Sequence, residues 1–180
     1  CLQARIKAGG ARIYSESSDT WGHVNVGMSS GVHQWEVMVT EDSSGGECTC
    51  LGVSVANPRD TGYEHQSSFL LVRCFNGGVY NFGSSESSIE KIHPKDKVRF
   101  ELNMDRGTLR CWIRGKDQGI IGSDLRKHKT LFPCVQFYSS GRETQLEWFK
   151  SKGGGGGGGA GVSKRLASME HVKRSKKALP

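Results

Sequence analysis

The groups able to do chemistry in this chain of 180 residues are six cysteines, six histidines and the hydroxyls and acids of its loops. Nucleophilic or metal chemistry would need them at fixed spacings. Cys48 and Cys50 fall on one face of an extended strand, but zinc sites use cysteine pairs about two to four residues apart and a second pair further on, and none follows. His23, His33, His65, His93 and His128 occur one to a segment, with no ligand-type pairing. No Gly-x-Ser-x-Gly elbow and no phosphate-binding glycine loop occurs. The run Gly153–Gly159 has neither the following helix nor the lysine that a phosphate cradle needs. The sequence therefore reads as a non-enzyme with no cofactor and no metal.

The elements that would position any site are short strands. Up to about residue 150 the apolar pattern has the strand period: Trp35, Val37 and Val39 alternate with Glu36 and Met38, and Leu51, Val53 and Val55 with Gly52 and Ser54. Val98, Phe100 and Leu102 alternate with Arg99 and Glu101. Leu109, Cys111 and Ile113 do so with Arg110 and Trp112, and Leu146 and Trp148 with Gln145 and Glu147. Such alternation marks half-buried antiparallel strands. Turn signals separate them, among them Asn76-Gly77-Gly78 and Ser139-Ser140-Gly141, and Asp105-Arg106-Gly107-Thr108 reads as a tight hairpin with Gly107 at positive φ. No helical periodicity of useful length precedes residue 150, so the fold class is all-β, a two-sheet antiparallel sandwich.

The net charge of +7 is concentrated at one end of the chain: residues 152–180 hold seven Lys/Arg against one Glu, a net of +6, leaving +1 for the remainder. The domain thus lacks the electrostatic footprint of a nucleic-acid binder, and any anion binding belongs to the tail. The chain divides into a domain (1–150), a glycine-rich linker (151–161) expected to be flexible, and a basic tail (162–180) expected to be disordered. In the tail, Lys173, Arg174, Lys176 and Lys177 form a cluster of the nuclear-import type. Ser168, behind Lys164 and Arg165, has the basic approach of a kinase acceptor. No apolar run approaches the roughly 18 residues of a membrane span, and the first ten residues lack the apolar stretch of a signal peptide. Cys50, Cys74, Cys111 and Cys134 lie in or beside apolar runs, as free thiols used for packing do, which points to a reducing, intracellular setting. Beginning at Cys1, the chain reads as a piece of a longer protein, and nothing in it fixes an oligomeric state.

Four segments in order resemble the SPRY domain family: Gly31-Val32-His33-Gln34-Trp35-Glu36-Val37, Leu51-Gly52-Val53-Ser54, Asp105-Arg106-Gly107-Thr108-Leu109 and Leu131-Phe132-Pro133-Cys134-Val135. The resemblance spans roughly residues 10 to 149, without the extra N-terminal segment of the longer relatives. It implies a β-sandwich whose loops at one end bind partner proteins or short peptides, frequently recruiting substrates to ubiquitin ligases. Carried over by position, the binding residues would be Thr49 at the start of the central strand, Arg59, Asp60 and Tyr63 in the loop after it, and Tyr138, Ser139 and Ser140. At the last position relatives carry Val-Trp-Gly, and serine here in place of tryptophan argues against their peptide specificity. Tyr63 offers a rigid ring with a polar tip, and Arg59 a fork suited to a carboxylate.

Overall fold

The structure is a computed structural model that describes residues 4–7, 12–42, 49–56, 58, 67–152 and 169–170. In chain order the strands are β1 (Ala4–Lys7), β2 (Arg12–Ser15), β3 (Thr20–Val24), β4 (Val32–Glu41), β5 (Thr49–Ser54), β6 (Phe69–Arg73) and β7 (Gly78–Asn81). They continue as β8 (Ser84–Ser88), β9 (Lys97–Asn103), β10 (Thr108–Ile113), β11 (Lys116–Gly122), β12 (Phe132–Phe137), β13 (Glu143–Lys152) and β14 (Met169–Glu170). Among the described residues the one helical element is a 3-10 turn, Leu125–Lys127.

The strands make two antiparallel sheets, ordered β1-β2-β13-β4-β9-β10-β11 and β14-β3-β12-β5-β6-β7-β8. Their facing sides fill one core. Trp35, Phe100, Leu102 and Leu109 come from the first sheet, and Leu51, Val53, Leu70, Val72 and Phe137 from the second. Trp35 stacks on Phe100 at 5.3 Å between ring centroids. Burying a ring system of that size contributes on the order of 4 kcal/mol. The β9–β10 pair shows the alternation at its cleanest: Val98, Phe100 and Leu102 are buried while Lys97 is exposed and Arg99, Glu101 and Asn103 are part-exposed. Its hairpin closes with Gly107 at φ +70°, and the Gly107 N–H donates to the Asn103 carbonyl (2.7 Å).

Two expectations need correction. The alternation expected through Leu146 and Trp148 does not hold, because a register shift falls between them. Leu146 stays opposite Val37, but Phe149, not Trp148, comes opposite Trp35, and Leu146 and Phe149 are the residues packed on the core. A bulge inserts one residue and so moves every later side chain to the other face. Second, β5, expected to be half-buried, is buried throughout, and so is its neighbour β6. Their outward residues Cys50, Phe69 and Leu71 join Cys134 in a second buried cluster, against which Trp21 and Tyr138 pack.

Cys50, Cys74, Cys111 and Cys134 are free and buried, as their apolar surroundings suggested. β13 runs on to Lys152, past the boundary drawn at residue 150. The flexibility expected of residues 153–161 lies outside the described residues, as does the disorder expected of the tail apart from Met169 and Glu170. Those two residues pair with Val24 and His23 of β3.

Candidate functional site

The site is assembled from the turns at the end of the sandwich where β5 begins. Thr49 pairs with Phe137, which pairs in turn with Thr20, so β2–β3 and β12–β13 connect at this end. The Cys74 N–H donates to the Thr49 carbonyl (2.9 Å), which brings the β6–β7 turn to the same level. The Ile92 N–H donates to the Cys74 carbonyl (3.1 Å) and adds the β8–β9 segment.

The β12–β13 turn carries Tyr138, Ser139 and Ser140. Phe137 points into the core, and Tyr138 turns the other way, half-buried against the outer cluster of the second sheet. The Ser15 hydroxyl ties down the turn: it donates to the Ser139 carbonyl (2.8 Å) and accepts from the Arg142 N–H (3.0 Å). Arg142 is itself buried and ion-paired with buried Asp42 at 3.0 Å, and its Nη2 donates to the Ser139 hydroxyl (3.4 Å). Ser139 is therefore an anchor of the turn, and Ser140 is its exposed tip. Thr49 sits at this end but beneath the surface, fully buried beside Phe137, and its hydroxyl has no hydrogen-bond partner among the described residues.

Arg59, Asp60 and Tyr63 lie outside the described residues. The chain that carries them leaves β5 at Ser54, about 17 Å along the strand from Thr49. Ser168 and the cluster Lys173, Arg174, Lys176 and Lys177 also lie outside the described residues.

The structure adds Phe75, which sequence reasoning missed. It stands in the β6–β7 turn with 43% of its surface exposed, one of two large apolar residues so exposed among those described, the other being Ile120. Lys91 Nζ lies 5.7 Å and Arg73 Cζ 5.8 Å from its ring centroid, so two cations bracket the ring face. The acids nearby are already engaged. Arg114 bridges Glu90 and Asp96, and Lys116 approaches Glu90 at 3.4 Å. Desolvation opposes ionisation of Glu90, but the charges of Arg114 and Lys116 prevail and hold its carboxyl below the usual range. Lys91 forms no ion pair among the described residues. Phe75 and Tyr138 leave strands on either side of β5, two strand spacings or about 10 Å apart. This arrangement has no nucleophile and base in contact. It offers two aromatic anchors and a cation, as a binding surface does.

The profile of the SPRY domain family matches residues 32–150. The SPRY domain of human HERC1 superposes with a TM-score of 0.74 at 25% identity, covering 81% of this chain and 91% of that one. The PSpry domain of TRIM65 (TM-score 0.61, 14% identity, 79% of this chain and 84% of that one) shares the fold. So does a further human SPRY domain (0.57, 15%, 81% and 96%). The chain belongs to the SPRY domain family. SPRY domains are non-catalytic protein-interaction modules. No helix among the described residues is long and apolar enough to cross a membrane.

Proposed function

We propose that this domain binds a partner protein or short peptide through the end of the sandwich at which β5 begins, as the substrate- or adaptor-recognition part of a larger intracellular, ubiquitin-ligase or scaffold protein. The observation that carries the reading is Phe75, a solvent-facing aromatic ring with Lys91 and Arg73 within 6 Å of its centroid, in a turn that leaves the strand two places from the one that leads to Tyr138. Buried aromatic anchors with adjacent cations supply most of the energy at protein interfaces. The partner that suits them presents an apolar side chain to Phe75 and a carboxylate to Lys91. The Ser15–Ser139–Arg142–Asp42 linkage supports the reading because it holds the Tyr138 turn in place before binding, which lowers the ordering cost. Arg59, Asp60 and Tyr63 are proposed to meet the partner separately, since the chain that carries them leaves β5 at Ser54, the opposite end of that strand.

The basic tail is proposed to act separately. Its net charge of +6 over residues 152–180 suits an anionic partner such as nucleic acid or an acidic membrane surface, with the cluster at Lys173–Lys177 serving nuclear import and phosphate on Ser168 reducing the attraction. One experiment separates the two activities. A peptide panel is captured on the wild-type chain, on Phe75→Ala with Tyr138→Ala, and on a chain lacking residues 152–180. Peptide binding should fall at least about tenfold in the double variant, the loss of at least one hot spot, and survive deletion of the tail. Salt-sensitive binding to heparin should do the reverse. Full peptide binding by the double variant would refute the proposed surface.

A further inference from the structure

A second surface lies along the side of the sandwich, away from the loop end. β3 is the outermost full strand of its sheet among the described residues. An outermost strand presents a row of N–H and C=O groups to any extended chain. β3 already has a short partner there. Met169 pairs antiparallel with Val24, and Glu170 with His23.

We infer that the outer edge of β3 is an acceptor for an added strand, and that its occupant is this chain's own C-terminal segment around Met169–Glu170. The connection is long enough. Lys152 pairs with Val32, which follows Val24 by eight residues, so the gap from Lys152 to Val24 is at most about 33 Å. The sixteen residues 153–168 can reach roughly 55 Å when extended. Seven of them are consecutive glycines, which present no side chain to hinder the return path. A tether of this length keeps the segment at an effective concentration on the order of millimolar. Even weak pairing is then populated. A two-residue pairing is also easily displaced, so an extended segment of a partner with a longer complementary stretch would compete for the edge.

The test compares the full chain with its Met169→Pro/Glu170→Pro variant by amide hydrogen exchange. Proline removes the backbone donor and cannot sustain pairing. The amides of β3 should exchange roughly tenfold faster in the variant, while those of Val98 and Leu109 in the core keep wild-type rates as a check on folding. A synthetic peptide of residues 162–180 at about 1 mM, near the tethered concentration, should restore protection to the variant, and the same peptide with both prolines should not. The wild-type protection should persist at about 0.5 M salt, where charge attraction is screened within a few ångström. Wild-type exchange rates in the variant would overturn the inference. So would protection that disappears at high salt, because the tail would then be held by charge.

Discussion

At the scale of single residues, Gly52 is one of the tightest constraints among the described residues. A Cβ built there would stand 2.0 Å from the Leu70 carbonyl oxygen, which belongs to the backbone of the neighbouring strand and has no side-chain freedom to yield. Gly52 pairs with Leu71 in β6 and with Cys134 in β12, so a displacement would propagate through three strands of the second sheet. Gly52→Ala should destabilise the domain by about 2–3 kcal/mol, in the range of overpacked interiors. That corresponds to a fall of roughly 5–10 °C in Tm. Thermal unfolding followed by circular dichroism measures it, and an unchanged Tm would mean that β5 and β6 separate at no cost. In the sequence Gly52 reads only as a partner in the alternation of Leu51 and Val53, which does not reveal how closely β6 approaches it. Phe75 was illegible for a different reason. An aromatic residue just after an apolar run looks like the last core residue of that run, and only the Cys74–Thr49 bond shows that the strand has already ended.

At the scale of elements, the turn that presents Tyr138 is held by a buried ion pair, Asp42–Arg142, that joins the end of β4 to the start of β13. Removing one partner leaves the other charge buried without its counter-ion, which costs about 3–5 kcal/mol, whereas replacing both with apolar residues is often close to neutral. Arg142→Met alone should therefore destabilise the domain by about 3 kcal/mol, and Arg142→Met with Asp42→Leu should recover most of that loss. Urea unfolding of the single and double variants gives the coupling. If the losses simply add, the pair is not what holds the turn. Sequence alone could not find this pair, since its members are one hundred residues apart and each looks like an ordinary surface charge. The strands themselves were legible where one face is wet, as in β4, β9 and β10, because alternation records that asymmetry. Alternation located β5 but did not show that its second face is also buried, and β6, buried on both faces, has no alternation to read. The pattern failed at the bulge in β13, and in β8, whose Ser-Ser-Glu-Ser-Ser has no apolar periodicity to read.

At the scale of the whole molecule, the sandwich has to stay rigid for its turns to be a useful binding surface, and the buried thiols of Cys111 and Cys134 make its stability depend on pH. Burial pushes the Cys111 thiol up to about 12, with the negative charge of Asp117 adding to the shift. Burial likewise raises Cys134 well above the usual thiol range, against a smaller opposing contribution from its hydrogen bond with Ser54. In the unfolded chain both would ionise near the ordinary value of about 8.5. Above that pH the unfolded state loses protons that the folded state retains, so the unfolded state binds fewer protons and stability falls as pH rises. Below about 8.5 both states keep these protons, and the thiols contribute no slope. Between about 8.5 and 12 each group should remove roughly 1.4 kcal/mol of stability per pH unit, so the two together steepen alkaline unfolding by nearly 3 kcal/mol per unit. Other groups also titrate in this range, and a variant isolates the thiol. Cys111→Ala should lower stability at pH 7 by about 1 kcal/mol for a small lost volume, yet flatten the decline above pH 8.5 by about half of the thiol contribution. Urea midpoints at pH 7, 8.5 and 10 measure both effects. An alkaline slope in Cys111→Ala equal to wild type would mean that the thiol is open to solvent and hydroxide in the native state, and that the core between the two sheets is looser than its packing shows.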